Sequence, residues 1–207
     1  MTPPPLTVHT GRAVVLARDD VDTDQITPAQ FCKRLTKHGY EDALFAGWRG
    51  QPGFPLDQPH LRDASVLVAG NNFGTGSSRE HAVWALRDWG FVAVIAISFG
   101  DIFRRNALKN GLLAISLPEA DVAALSKAAE TDPDLPVTVD LEECEVRAGE
   151  LRRRFDVDSH ARYLLLNGLD DIALTEQQDE DISRYERGRK PWLPSLRPGC
   201  LSGRGAS

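Results

Sequence analysis

Residues 65–97 read SVLVAGNNFGTGSSREHAVWALRDWGFVAVIAI, and this stretch decides the fold class. The apolar run from Ser65 to Ala69 predicts a short buried strand, which a loop with three glycines joins to the next segment. Arg79 to Trp89 has the spacing of an amphipathic helix, and Gly90 follows as a helix-ending residue. Phe91 to Ile97 predicts the next buried strand. Continuously apolar strands joined by a helix are typical of a parallel sheet covered on both faces.

The same alternation extends in both directions from this stretch. Downstream, a helix from Asp101 to Asn110, a strand from Leu112 to Leu117 and a helix from Pro118 to Ala129 are predicted, with the proline in the first turn. Upstream, Gly11 to Ala17 predicts a first strand. A polar loop at residues 19–24 and an irregular connection at residues 47–63 are also predicted. The core is therefore an α/β fold.

The pattern changes after Pro136, where short alternating runs with a turn at Ala148-Gly149 predict an added β hairpin. Asp158 can cap a helix that runs to Asn167. A charged segment from Glu176 to Lys190 predicts a surface helix, and the tail after Pro191 is expected to be poorly ordered. We predict one domain over residues 1–170 and a C-terminal helix and tail over residues 171–207.

Composition excludes several classes of function. The 207 residues carry a net charge of −6, which gives no support for a nucleic-acid partner. The longest apolar run, Phe91 to Ile97, is far shorter than the ~20 residues that a membrane span requires. The first ten residues lack the basic and apolar segments of a secretory signal. We expect a cytoplasmic protein without a membrane or nucleic-acid partner.

The three cysteines, Cys32, Cys144 and Cys200, are widely separated and form no Cys-x-x-Cys pair. This spacing argues against a disulfide framework and against a zinc site. An iron–sulfur cluster requires several closely organised thiolates, which the sequence does not offer. We predict that this chain binds no metal or cofactor.

The glycine-containing loop before the helix at Arg79 is the best candidate for a functional site. Backbone amides at a helix start favour an anion by ~0.3–1 kcal/mol, so a carboxylate or oxyanion would suit this position. Ser77 and Glu80 also match a capping box, which is a purely structural reading of the same residues. A cation at Arg79 opposes the helix dipole and therefore indicates a ligand. The nucleotide-binding glycine patterns and the Gly-x-Ser-x-Gly elbow are absent.

Two motifs resemble a known family. Asn72-Phe-Gly-Thr-Gly-Ser-Ser-Arg-Glu-His81 is similar to a motif of the swivelling domain of the aconitase superfamily, and Val21-Asp-Thr-Asp-Gln-Ile-Thr-Pro28 resembles the signature loop of isopropylmalate dehydratase small subunits. The resemblance spans roughly residues 7–192. It implies a three-layer β/β/α swivelling domain, which adds a second sheet layer to the α/β core.

The resemblance also implies a chemistry. Members of this family, isopropylmalate isomerases of leucine biosynthesis, interconvert 2-isopropylmalate and 3-isopropylmalate through isopropylmaleate. They form a heterodimer with a large subunit that carries a 4Fe–4S cluster. On this resemblance Ser77 is the catalytic base, Ser78 lies near the substrate and Arg79 binds a substrate carboxylate through its planar fork. Asp22 and Asp24 are expected to shape their loop.

Residues 30–35 match the family segment that discriminates between substrates, and Phe31 and Cys32 are expected to present an apolar wall to the substrate. A related small subunit for citraconate/2-methylmalate or homoaconitate is the alternative, which Lys33 or Arg34 turned inward would favour. A non-catalytic binding protein with the same fold is a third hypothesis. The run Gly76-Ser-Ser-Arg79 argues against it, because a binding module has no need for the serine.

Overall fold

The computed structural model describes residues 4–76, 79–189 and 192–193. Seven strands lie in the order β4-β3-β2-β1-β5-β6-β7. They are β1 (Val8–Leu16), β2 (Val66–Ala69), β3 (Ala93–Ala96), β4 (Leu113–Ser116), β5 (Pro136–Asp140), β6 (Glu145–Ala148) and β7 (Leu151–Arg154). The strands predicted over residues 11–17, 65–69, 91–97 and 112–117, and the added hairpin, are confirmed with small shifts of their ends.

The long strand β1 joins a parallel half of the sheet to an antiparallel half. Its C-terminal part pairs in parallel with β2, with Ala13 opposite Val66, and β2, β3 and β4 continue in parallel. Its N-terminal part pairs antiparallel with β5, with Val8 opposite Asp140. Every residue of β2 and β3 is buried, as expected for parallel strands covered on both faces.

The four predicted helices of the first unit are present in the predicted order, and a short helix that was not predicted precedes them. The described α-helices there are α1 (Thr23–Ile26), which was not predicted, α2 (Glu80–Trp89), α3 (Asp101–Lys109), α4 (Glu119–Thr131) and α5 (Ser159–Asn167). Helix α2 buries one stripe, formed by Ala82, Val83, Ala85 and Leu86, and ends at Gly90 with a φ of 114°. Glycine adopts this left-handed conformation without the steric cost that a Cβ atom would impose.

Two apolar cores cover the two faces of the parallel strands. Leu67 and Ala69 face a core that includes α2 and α3, whereas Val66 and Val68 face the other core. That second core takes side chains from α4 and also from the antiparallel strands, such as Val137 of β5. The antiparallel half therefore folds over one face of the parallel half. The predicted three-layer β/β/α swivelling domain is confirmed.

Residues 19–24 were predicted as a loop, and the short helix α1 begins within them. Residues 47–63, predicted as an irregular connection, form turns and two 3-10 helices, Pro55–Asp57 and Pro59–Leu61. Asp158 caps α5 as predicted, accepting from the amides of His160 and Ala161 at 3.0 and 2.9 Å.

The chain separates into two compact units, one ending at Asp170 and one beginning at Asp171. The second unit contains α6 (Asp171–Glu176) and α7 (Asp179–Arg187), and no residue of α7 is buried. The charged helix predicted from Glu176 to Lys190 is thus shorter, and α6 precedes it. The predicted tail lies outside the described residues except at positions 192 and 193. The predicted domain division, residues 1–170 and 171–207, stays a prediction.

His9 on β1 gives the fold a pH-dependent contact. Its Nε2 is hydrogen-bonded to Ser65 Oγ at 2.7 Å, and burial lowers the pKa of His9 below its ordinary 6.5. The unfolded chain therefore binds a proton that the folded chain does not, so the free energy of unfolding should fall as the pH falls below about 6.5. Urea unfolding at about pH 5 and about pH 7.5 should show a smaller pH effect for His9→Gln than for the wild type. His60→Gln, at an exposed position, is the control. An equal pH effect in His9→Gln would contradict this role.

Candidate active site

The two motifs found in the sequence meet at the C-terminal ends of the parallel strands. Residues 71–76 lie between the loop that follows β1 and the loop that follows β3. The amides of Gly74 and Thr75 donate to the carbonyl of Val21 at 2.7 and 3.2 Å, and the amide of Thr23 donates back to the carbonyl of Thr75 at 3.1 Å. Open parallel sheets bind ligands at this edge.

Side chains reinforce this contact between loops. Asp19 accepts from the amide of Asn71 at 2.6 Å, and Asp20 accepts from the side-chain amide of Asn72 at 2.8 Å. On the other side, the hydroxyl of Ser98 donates to the side-chain oxygen of Asn71 at 2.6 Å and accepts from the amide of Asn72 at 2.9 Å. The loop before α2 is therefore held from both sides.

Two glycines allow the loops to approach closely. Gly74 has a φ of +73°, and a Cβ atom there would lie 2.2 Å from the ring of Phe103. A Cβ atom at Gly100 would lie 2.6 Å from the carbonyl oxygen of Gly74. Neither position accepts a side chain without a shift of the surrounding loops.

Asp22 caps the short helix α1. Its carboxylate accepts from the amide of Gln25 at 2.7 Å, and the Gln25 side chain accepts from the amide of Asp22 at 2.9 Å, which completes a capping box. Asp22 also bridges to Thr75 in the neighbouring loop. The prediction that Asp22 shapes its loop is confirmed.

Arg79 is held at the start of α2 by the signature loop. It lies at the N-cap position with extended backbone, and its guanidinium forms an ion pair with Asp24. About a quarter of the Arg79 side chain is exposed, and the nitrogen that lies against Asp24 is its buried Nη1. A guanidinium has several N–H donors, so an arginine that contacts one carboxylate through a single nitrogen still has donors for an oxyanion. The partner of Arg79 was not predictable from the sequence, because the acidic loop gives no signal of where Asp24 points.

The predicted capping box of Ser77 and Glu80 is wrong in register. Helix α2 begins at Glu80, so this residue is at the first helical position and not at the third. Its carboxylate accepts from the side-chain amide of Asn110 at 2.7 Å, and the Asn110 oxygen accepts from the Trp84 indole at 3.2 Å. The carboxylate of Glu80 is thus hydrogen-bonded to Asn110, a residue far away in sequence. The ring of His81 lies edge-on to Trp84 at a centroid distance of 4.7 Å.

Ser77 and Ser78 lie outside the described residues. The chain is described on either side of them. Gly76 has a φ of +93°, and a Cβ atom there would lie 3.6 Å from the Cβ of Asp22. Arg79 follows at the helix cap. The described residues next to them in sequence are thus Gly76, beside the signature loop, and Arg79, at the N-terminus of α2.

Phe31 and Cys32 lie on a 3-10 helix, Ala29–Lys33, which directly follows α1. Phe31 is partly buried against the core that includes α2 and α3, and Cys32 is a free, partly exposed cysteine. Arg34 pairs with Asp42 through two hydrogen bonds of 2.7 and 2.6 Å, so its guanidinium fork is occupied within this chain. Lys33 is exposed.

Within the described ranges, no group of three His, Cys, Asp or Glu side chains is arranged to hold a metal ion. The described part of the chain also contains no helix of sufficient length and hydrophobicity to cross a membrane.

This fold, with its loop site at the strand ends, defines a swivelling domain of the aconitase superfamily. A family model described as "Aconitase C-terminal domain" matches residues 4–120, and a second, described as "LeuD_N", matches residues 123–159. The chain belongs to the family of 3-isopropylmalate dehydratase small subunits. It is 56% identical to the 3-isopropylmalate dehydratase small subunit of Acidothermus cellulolyticus, over 93% of this chain and 98% of the relative. The corresponding protein of Thermobifida fusca is 53% identical, over 91% of this chain and 96% of the relative.

A solved structure agrees with this placement. The crystal structure of a 3-isopropylmalate dehydratase from Methanocaldococcus jannaschii superposes with a TM-score of 0.65 at 30% sequence identity. The superposition covers 86% of this chain and 99% of that one. The predicted family is thus confirmed by both sequence and structure.

Proposed function

We propose that this chain is the cytoplasmic small subunit of an isopropylmalate isomerase, which interconverts 2-isopropylmalate and 3-isopropylmalate in leucine biosynthesis as a heterodimer with a 4Fe–4S large subunit. The observation that carries the proposal is the meeting of the two family motifs in space. The loop with Asp24 lies against the segment that ends in Arg79, although the two are far apart in sequence. The relatives named 3-isopropylmalate dehydratase small subunit match this chain over nearly their whole length.

In this proposal Ser77 takes a proton from the substrate carbon, the electron pair of that C–H bond forms the double bond of isopropylmaleate, and hydroxide leaves from the neighbouring carbon. A free serine is too weak a base for this step. Its oxyanion form therefore needs stabilisation by the amides at the start of α2 in a site closed to water. Ser78 and Arg79 hold a substrate carboxylate, and the fork of Arg79 fixes its orientation.

The iron–sulfur cluster belongs to the large subunit in this proposal, where it would act as a Lewis acid toward the departing hydroxyl. The described cysteines of this chain do not form a site for it. Cys32 lies in the 3-10 helix after α1, and Cys144 lies in the turn between β5 and β6. In this proposal the present chain contributes the base, Ser77, and the residues that bind a substrate carboxylate, Ser78 and Arg79.

The loop that contains Phe31 and Cys32 supports a substrate with an apolar side chain. The guanidinium fork of Arg34 is occupied by Asp42, so Arg34 does not offer it to a further carboxylate of the substrate. This arrangement argues against homoaconitate as the substrate. Citraconate, which has a methyl group in place of isopropyl, remains the second candidate, because Phe31 and Cys32 would also suit a smaller apolar group.

The test is to titrate a 3-isopropylmalate dehydratase large subunit, reconstituted with iron and sulfide, into the purified chain and to follow isopropylmaleate by its absorbance. We expect turnover to rise with added large subunit and to saturate, since the two halves of the site must meet with the correct geometry. Citraconate is assayed in parallel and should give a lower kcat/KM. Turnover by the chain alone, absence of turnover at saturation, or preference for citraconate would contradict the proposal.

A further inference from the structure

The segment from Phe31 to Asp42, which we call the clamped loop, is closed on itself by Arg34. The two terminal nitrogens of Arg34 donate to the two carboxylate oxygens of Asp42 at 2.7 and 2.6 Å. One of them also donates to the carbonyl of Gly39. The hydrogen bond with Arg34 lowers the pKa of Asp42, so this carboxylate stays charged at neutral pH. Of the basic side chains, only arginine can donate two parallel hydrogen bonds to one carboxylate in this way.

The guanidinium of Arg34 also lies over two aromatic rings of the same loop. Its guanidinium carbon lies 4.9 Å from the ring centre of Phe31 and 5.3 Å from that of Tyr40. One side chain therefore links Phe31, at the start of the loop, to Tyr40 and Asp42, at its end. Both contacts are of the cation–π type, which adds to the ion pair.

Tyr40 attaches the far end of the clamped loop to the helix of the candidate site. Its side chain is fully buried, and its ring contacts His81 and Trp84 of α2 at centroid distances of 5.7 and 5.8 Å. The backbone amide of Tyr40 donates to the carboxylate of Asp88, also on α2, at 3.0 Å. The near end of the loop follows α1, where Asp24 pairs with Arg79. The loop therefore runs beside the helix that begins at the candidate site.

Residues 35–39, at the tip of the loop, are all exposed, and Leu35 is completely so. The tip contacts α2 through two side chains: Nδ1 of His38 lies 3.6 Å from Oδ1 of Asp88, and Nζ of Lys37 lies 5.8 Å from the ring centre of Trp84. Arg34 joins Phe31, at the start of the loop, to Tyr40 and Asp42, at its end, so its position bears directly on where Phe31 and Cys32 lie.

We propose that Arg34 is a positioning residue whose clamp on Asp42 holds Phe31 and Cys32 in place and thereby determines how strongly the enzyme prefers isopropylmaleate to a smaller homologue such as citraconate. The clamp itself is a property of this chain, whereas its effect on selectivity rests on the proposed function. A loop that is free to move gives a less defined pocket, so discrimination should weaken more than turnover.

Limited trypsin digestion of the full chain tests the clamp without any assay of activity. The loop contains three cleavage sites, after Lys33, Arg34 and Lys37, and Asp42→Asn leaves all three unchanged. We expect cleavage there to be faster in Asp42→Asn by about fivefold or more, because proteolysis follows the open population of a segment. Asp121→Asn, which removes the 2.5 Å contact between Asp121 and Arg153 elsewhere in the chain, should leave loop cleavage unchanged. Unaltered loop cleavage in Asp42→Asn would overturn the clamp.

Selectivity is then measured on the assembled enzyme with isopropylmaleate and citraconate as alternative substrates. Arg34→Lys keeps the charge but loses the fork, and the ratio of the two kcat/KM values should fall by about tenfold, mainly through KM for isopropylmaleate. Arg153→Lys is the matched control and should keep the wild-type ratio.

Asp42→Asn and Arg34→Lys break the same contact, so the double variant should be no less selective than either single variant. Fast loop cleavage with an unchanged substrate ratio would overturn the role in selectivity. If the wild-type enzyme turns over neither substrate, the proposed function and the selectivity role both fail, while the digestion still decides whether the clamp exists.

Discussion

Ser77→Ala is expected to lower kcat for isopropylmaleate in the assembled enzyme by roughly 10³-fold or more, the scale of losing a general base that is essential to the reaction. Alanine cannot accept the proton from the substrate carbon, and no other residue of the motif has been assigned this step. The measurement is steady-state turnover with saturating large subunit.

Stability should change little in Ser77→Ala. Helix α2 begins at Glu80 with Arg79 at its N-cap, so Ser77 is not the residue at the N-cap. Urea unfolding and assembly with the large subunit should therefore match the wild type. Ser78→Ala is the comparison variant and should retain more turnover, since Ser78 is proposed to touch the substrate without taking the proton. Near-normal turnover by folded, assembled Ser77→Ala would remove Ser77 as the base.

Arg79→Lys is expected to lower kcat/KM by about 10²-fold, comparable to the loss of one strong donor from an active site. Lysine keeps the charge but cannot hold a carboxylate through two parallel hydrogen bonds. It would also lose the directed contact of the guanidinium with Asp24, which holds the group beside the signature loop. Both KM and kcat should therefore change.

Arg87→Lys is the matched control for this prediction. Arg87 lies in the last turn of the same helix, away from the loops of the candidate site, and burial lowers its pKa. The same substitution there should leave kcat/KM close to the wild-type value. If Arg79→Lys also has wild-type kcat/KM while bound to the large subunit, recognition of a carboxylate by the Arg79 fork is contradicted.

The capping box of Ser77 and Glu80 illustrates the limit of reasoning from local spacing. The spacing matches the motif, but Glu80 is the first residue of α2 and bonds to Asn110 at the end of α3. At Asp22 and Gln25 the same kind of motif does form. In the first case the helix starts later than the motif requires, and the glutamate bonds to a residue far away in sequence.

Arg34 and Arg79 show the same limit for charged residues. The sequence predicts Arg79 as a carboxylate ligand and leaves Arg34 open as a second one. Their partners, Asp24 for Arg79 and Asp42 for Arg34, could not be selected from the sequence, since every nearby acidic residue is an equivalent candidate until the loops are placed. Our proposal of a substrate with an apolar side chain uses the pairing of Arg34 with Asp42, which no sequence pattern indicates.

The alternating strands and helices of the parallel half, the helix end at Gly90 and the family could all be predicted from the amino-acid sequence, because apolar periodicity, glycine conformation and contiguous motifs are local properties of the chain. The pairing of β1, parallel with β2 and antiparallel with β5, and the contact of Asp24 with Arg79 became known from the folded chain alone. Strand pairing and ion pairing join residues far apart in sequence. Their choice depends on which loops the packed core brings within hydrogen-bonding distance, and no local pattern contains that information.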